Sequence, residues 1–193
     1  MEIDFILEEQ AYDIAFCGFG VGACLLLREL DRRRLLDGRN ICIFEPDVKL
    51  SNDKTLCFWG EPESAIVQEN ADLITRSWNK AQIPPFEKQT LSPFQYHQID
   101  NLTLYEQVRE MLKKHDVEMV QAEVNSLRRA DQLVAITTSK NEFYSRLVYD
   151  SRPPRPKEKT SPILLQSFLG QRIQLPQPSF DPNAFSLMDF AVP

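Results

Sequence analysis

Two glycines, an alanine and a glutamate carry the chemistry most directly legible in this chain. Gly18, Gly20 and Ala23 stand in the order Gly-Phe-Gly-Val-Gly-Ala, and Glu45 follows 22 residues after Ala23. Gly18 permits a tight turn out of a strand, and Gly20 lets backbone approach a pyrophosphate with no Cβ in the way. Ala23 is small enough for a helix to pack close to that strand. The unsatisfied N–H groups at the start of such a helix, with its dipole, make an anion site that needs no basic side chain. A carboxylate at Glu45 accepts hydrogen bonds from ribose hydroxyls and repels a 2′-phosphate. The spacing therefore points to an adenine dinucleotide with an unphosphorylated ribose, FAD or NAD.

That chemistry needs a strand, a turn, a helix and a second strand in sequence, and the surrounding residues supply them. Tyr12 to Cys17 is a short apolar strand. Val21 to Leu36 reads as a helix with Cys24, Leu27 and Leu30 on one face, stopped by Asp37-Gly38. Asn40 to Glu45 is a second, parallel strand, ended by Pro46. The whole is a dinucleotide-binding βαβ unit.

Further along, Ser51 to Gly60 reads as a buried loop or short strand, Glu63 to Trp78 as a short helix and a strand, and Ile83 to Phe94, with three prolines, as irregular. Asn101 to His115 has the spacing of a second helix through Leu104, Val108, Met111 and Leu112. Val117 to Val120 is a buried strand. Glu123 to Arg128 and Leu133 to Thr138 form a hairpin, and Ser145 to Asp150 returns as a parallel strand. After Tyr149 come eight of the 13 prolines. We place a domain crossing there, with residues 1–152 as the dinucleotide domain and residues 153–193 as a linker and the start of a β-rich substrate domain. Within that second part, Ile163 to Leu175 and Ala184 to Val192 read as strands, with Gly170 as a bulge.

Composition sets outer bounds. At 193 residues the chain holds one domain and part of another, and a hydrophobic fraction of 42% is enough for a sizeable core. A formal net charge of −6 argues against nucleic acid as a bulk electrostatic partner. The cysteines, Cys17, Cys24, Cys42 and Cys57, form no Cys-x-x-Cys pair and read as buried reduced thiols. His97 and His115 have no ligand-spaced partners, so no metal site is expected. With no charged-then-apolar leader and no membrane-length apolar run, a cytoplasmic setting is expected.

The long insertion after the second strand, followed by helix, hairpin and a strand ending on Asp150, resembles the flavin-binding domain of two-domain FAD proteins. Within that group the chain is similar to the lycopene cyclases of carotenoid biosynthesis. Gly18 to Ala23 corresponds to that family's Gly-x-Gly-x-Ala-Gly with the last two residues exchanged. Asn52-Asp53-Lys54-Thr55-Leu56-Cys57-Phe58-Trp59 resembles its Asn-Asp-Arg-Thr-Trp-Cys-Phe-Trp. Val148 to Arg152 resembles its Val-x-Asp-x-Arg-Gly, except that Pro153 replaces the glycine and removes a backbone donor. Gln166 to Gly170, and Phe180-Asp181-Pro182 through Leu187-Met188-Asp189-Phe190, resemble its Gln-x-Phe-Leu-Gly and Phe-Asp-Pro…Leu-Met-Asp-Phe.

The resemblance implies a Rossmann-like FAD/NAD(P)-binding flavoprotein with an inserted β-hairpin, of which this chain is the N-terminal half. It implies an isomerase (intramolecular lyase) reaction, closure of the ends of lycopene by a lycopene β-cyclase, with reduced FAD as cofactor and NAD(P)H as reductant. The cofactor would be held by Gly18, Gly20, Gly22, Ala23, Glu45, Asp150 and Arg152. Arg152 either meets the cofactor phosphates or pairs with Asp150. Phe58 and Trp59 either line the substrate channel or pack in the core. No catalytic residue can be named: Asp181, Asp189 and Glu61 are candidates by position only, and the family's acidic cluster is expected beyond Pro193. A membrane-soluble substrate implies a peripheral encounter with a bilayer. Two alternatives stay open, a truncated, inactive cyclase homologue that only binds a nucleotide, and an FAD monooxygenase or halogenase-like enzyme.

Overall fold

The computed structural model describes residues 10–52, 54–153, 175–177 and 179–187. In chain order, the first elements are β1 (Tyr12–Cys17), α1 (Val21–Arg32), β2 (Ile41–Phe44), β3 (Leu56–Gly60) and α2 (Ala65–Gln68). Next come β4 (Ile74–Trp78), β5 (Lys80–Gln82), β6 (Gln89–Thr90), β7 (Gln95–Ile99) and α3 (Asn101–Leu112). The chain continues through β8 (Val117–Val120), β9 (Val124–Ala130), β10 (Leu133–Thr138) and β11 (Glu142–Asp150) to β12 (Ala184–Ser186).

These elements fall into two compact units, Met1–Lys54 with Asn101–Pro153, and Thr55–Asp100 with Pro154–Pro193. Residues 55–100, which the sequence groups with the dinucleotide domain, thus belong to the second unit. They pair among themselves and with β12 rather than extending the first sheet.

The first unit is built on a six-stranded sheet in the order β8-β2-β1-β11-β10-β9. The pairs β8/β2, β2/β1 and β1/β11 are parallel, while β10 is antiparallel to both β11 and β9. β11 serves both halves: Glu142–Ser145 pair with the hairpin strand β10, and Ser145–Asp150 pair with β1. The expected strand Ser145–Asp150 was therefore only its parallel portion. The residues of β2, and those of β1 from Ile14 onward, are buried on alternating faces, as central parallel strands must be. On one face Ala15, Cys17, Cys42, Phe44, Val124 and Ile136 form a core cluster. Helices α1 and α3 pack side by side and are tied at their ends, where Asp31 of α1 meets Lys114 at 2.9 Å and His115 at 2.7 Å.

Helix α1 ends at Arg32, short of the expected Leu36. Arg34 takes φ +58°, its N–H bonds Asp31 O at 2.8 Å, and the Leu35 N–H reaches back to Leu30 O at 2.9 Å. This is the six-to-one closure of a Schellman turn, with an arginine in the left-handed position where glycine is usual. Leu36 is then fully buried. Gly38, with φ +66°, shapes the next turn instead of stopping the helix.

The second unit has two three-stranded sheets, β3-β7-β4 and β12-β5-β6. Ile83 to Phe94, read as irregular, contains β6. The expected strand from Ala184 is seen at Ala184–Ser186, whereas residues 163–174, Gly170 included, lie outside the described residues.

Candidate dinucleotide site

Strand register assembles the site. Cys17, the last residue of β1, lies opposite Phe44 on one side and Asp150 on the other. The residues that follow these three, Gly18, Glu45 and Ser151, are therefore neighbours at the carboxyl edge of the sheet. Ligands of open α/β sheets bind at that edge.

Gly18 adopts φ +107°, a conformation that side-chain-bearing residues rarely take, and its N–H bonds Phe44 O at 2.8 Å. A Cβ added there would stand 2.4 Å from Ser151 Oγ. Ser151 is fixed in place, since both its N–H, at 3.0 Å, and its hydroxyl, at 2.9 Å, donate to Cys17 O. Gly20 is the extended N-cap of α1, with φ −82° and ψ 179°, no side-chain cap and no acidic residue in the first turn. The first bond within the helix runs from the Cys24 N–H to Gly20 O at 2.9 Å, so the preceding N–H groups have no acceptor inside it. A Cβ at Gly20 or Gly22 would meet nothing within 4 Å, whereas Ala23 is buried against the fold. Among the described residues no side chain caps this helix N-terminus, whose backbone a pyrophosphate can approach closely. This geometry fits the ADP half of a dinucleotide.

Glu45 bridges the turn to the loop after β2. Its Oε2 accepts the Phe19 N–H at 2.7 Å and its Oε1 accepts the Asp47 N–H at 3.0 Å. A carboxylate has about four lone-pair sites, so acceptor capacity is left for ribose hydroxyls.

Asp150 and Arg152 form a forked ion pair, with Arg152 Nε donating to Oδ1 at 2.8 Å and Nη2 to Oδ2 at 2.9 Å. The Arg152 N–H also reaches Oδ1 at 3.2 Å, and Nη1 donates to Val124 O. Of the two roles open to Arg152, pairing with Asp150 is the one its side chain adopts. The guanidinium holds the Asp150 carboxyl below its ordinary value.

Phe58 and Trp59 lie on β3 in the second unit. Phe58 packs on the His97 ring at 5.2 Å. Trp59 is half exposed and joins Tyr96 at 4.7 Å and Phe185 at 5.9 Å; Trp78 completes this group of four rings. His97 is buried with Nδ1 2.8 Å from Ser77 Oγ and Nε2 donating to Gly60 O at 3.3 Å, an arrangement that ties three strand segments together.

Of the three positional acid candidates, Asp181 accepts the Asn183 N–H and the Lys88 ammonium, each at 3.0 Å, which lowers its pKa. It is thus a turn-holding anion, poorly suited to deliver a proton. Glu61 is exposed and its carbonyl caps the turn into α2 through Ser64. Asp189 lies outside the described residues.

The model of the family described as "Lycopene cyclase protein" matches residues 13–193. The chain belongs to the lycopene cyclase family. No curated protein matches it. Among solved structures, p-nitrophenol 4-monooxygenase PnpA from Pseudomonas putida DLL-E4 is similar, with a TM-score of 0.53 and 16% identity over 72% of this chain and 40% of that one. CtdE, solved in complex with FAD and a substrate, has a TM-score of 0.52 and 13% identity, over 72% of this chain and 37% of its own. At such identities the likeness is one of fold: a mixed parallel and antiparallel α/β architecture. The chain spans about two fifths of these structures. Among the described residues, no helix of this lycopene cyclase family member is long and apolar enough to cross a membrane.

Two participants escaped the sequence. Ser151, which presses on Gly18, stands in a strand-end triplet where only the charged residues drew attention. Arg109, in the last turn of α3, has no local signal at all; its partners lie about 60 and 90 residues upstream.

Proposed function

We propose that the chain binds FAD through Gly18, Gly20, Gly22, Ala23 and Glu45, and that it serves a lycopene β-cyclase-type reaction. One observation carries the binding half: a positive-φ glycine turn opens onto a helix N-terminus that no described side chain caps, beside a carboxylate with spare acceptor capacity. The family match supports the reaction half. Asp150 and Arg152 border the site as an ion pair on either side of Ser151.

Cyclisation has no net redox change. A proton adds to a terminal double bond of the acyclic carotene, the resulting cation closes the ring, and loss of a proton restores a double bond. Reduced FAD, maintained by NAD(P)H, supplies negative charge that favours the cationic species. The chain's own task here is to hold the ADP half at the carboxyl edge of the sheet. In the second unit, Trp59, Trp78, Tyr96 and Phe185 present π faces that suit a polyene and its cation, while Phe58 packs on His97. The substrate's insolubility makes an encounter at a membrane surface part of this proposal.

The test is to purify the chain, record its flavin absorbance, reduce it and supply lycopene in lipid vesicles. Bound flavin with formation of β- or γ-carotene is expected. Unchanged lycopene with a flavin-loaded chain would leave a nucleotide-binding homologue without cyclase activity. The fold shared with a monooxygenase favours a second reading, in which an oxygenated product appears instead.

A further inference from the structure

Two backbone segments flank the place where an ADP group would sit, the turn Gly18–Gly20 and the loop after β2. Neither belongs to a regular element that would hold it. Helix α3 reaches both, and its Arg109 is the side chain that hydrogen-bonds the loop while stacking on the turn. The Arg109 guanidinium lies over the Phe19 ring, 5.4 Å from its centroid, and Phe19 is the residue between Gly18 and Gly20. The same guanidinium donates through Nη1 to Lys49 O at 3.2 Å and through Nη2 to Val48 O, both in the loop after β2.

The surroundings make this contact rigid. Phe19 is fully buried, with Tyr105 of α3 at 6.0 Å on its side. Lys49 takes φ +49°, so its carbonyl is turned by an unusual backbone conformation. The Lys49 ammonium lies 5.9 Å from the Tyr105 ring centroid. A planar guanidinium can stack on a ring with its face while its edge donates to two carbonyls. No other side chain type performs both tasks at once. Arg109 meets the loop at two backbone carbonyls and the turn through the Phe19 ring, so it acts by placing these two segments.

We propose that Arg109 is a positioning residue of the dinucleotide site, setting the glycine turn and the loop after β2 at the separation an ADP group requires. This rests on the FAD reading above. The Phe19–Glu45 hydrogen bond joins the same two segments nearer the sheet, so loss of Arg109 loosens them without separating them.

The experiment compares the full chain with Arg109→Met, Arg109→Lys, Phe19→Leu and the Arg109→Met/Phe19→Leu double variant. FAD affinity is measured by flavin fluorescence, the apo unfolding midpoint by circular dichroism, and amide exchange by mass spectrometry. Arg109→Met should weaken FAD binding about tenfold, with an apo midpoint close to the parent's. Arg109→Lys, which keeps one carbonyl contact, should fall between the two. The double variant should bind no worse than Arg109→Met within about twofold, because the two residues act through one contact. In the apo chain, exchange should quicken in residues 18–21 and 47–50 and nowhere else. Unchanged affinity and unchanged exchange would overturn the proposal, as would a loss of affinity matched by general unfolding in both Arg109→Met and Arg109→Lys. A parent chain that binds no FAD overturns the FAD reading itself, and exchange confined to the two segments then still distinguishes a clamp from an inert contact.

Discussion

Glu45 and Phe19 are joined by a 2.7 Å hydrogen bond in which the carboxylate accepts the N–H of the residue between the two site glycines. The bond makes the proposed ribose-binding group and the proposed pyrophosphate-binding turn a single piece. Glu45→Gln tests this. The amide keeps one oxygen but offers N–H donors to the other backbone N–H, from Phe19 or Asp47. One backbone donor then loses its acceptor, at a cost of about 1–3 kcal/mol. The variant should unfold earlier in urea and bind FAD at least tenfold more weakly, about the value of one charge-assisted hydrogen bond. Weaker binding without any loss of stability would show that the two functions are separable.

Gly18 and Ser151 form the second pair. Gly18→Ala places a residue with a Cβ at φ +107° and 2.4 Å from a hydroxyl oxygen. Backbone strain of this kind costs on the order of 1–3 kcal/mol. Adding Ser151→Gly removes the contact but leaves the dihedral penalty and deletes the hydroxyl's bond to Cys17 O. The double variant should therefore recover little of the stability lost in Gly18→Ala, as measured by chemical denaturation. Full recovery would assign the requirement for glycine to crowding alone.

The parts of this site that sequence made legible are those in which one residue's type dictates one backbone state. Gly18 after one strand, Glu45 at the end of the next and a parallel strand ending on Asp150 follow from local pattern, whereas the register that sets Cys17 opposite Asp150 comes from the pairing itself. The end of α1 does not, because Arg34 takes a left-handed conformation that sequence cues reserve for glycine or asparagine. β5 and β7 were missed because Lys-Ala-Gln and Gln-Tyr-His-Gln-Ile have no clear apolar alternation; their pairing partners decide their state. Arg109 and Ser151 matter only through contacts across the fold, which no window of sequence contains.

The Asp150–Arg152 pair predicts an acid dependence. The Asp150 carboxyl is held below its ordinary value, first by the side-chain bond from Arg152 and then by the Arg152 N–H. A depressed carboxyl contributes stability that is present above the unfolded value, near 4, and is lost as pH falls through the folded value. Arg152→Met should lose stability at pH 7 and lose less on going to pH 3 than the parent does. Because Asp150 is more than a third exposed, the difference should be small and shrink in high salt. Parallel acid titration curves for the two proteins would remove the pair from the account of stability at the strand end.

The cysteines give a probe of the turn that needs no cofactor. Cys17, Cys24 and Cys42 are fully buried, and burial pushes their thiols up to about 11, 12 and 12; Cys57 is less buried and also raised. A thiol raised in the fold contributes stability below its unfolded value, near 9, that is lost as pH rises toward the folded value. Stability should therefore decline between about pH 9 and 12, and less so in a Cys42→Ala variant once its cavity cost at pH 7 is subtracted. At pH 8 a thiol reagent should reach Cys57 first, and the other three at the rate of opening. Cys24 donates weakly to Phe19 O at 3.8 Å, so its modification requires that α1 and the glycine turn part. In a Cys57→Ser background, the modification of Cys24, located by mass spectrometry, should slow when FAD is added and quicken in Arg109→Met. Modification of Cys24 that is fast in the parent and indifferent to both would mean that the turn is open without its ligand, and that neither Glu45 nor Arg109 holds it.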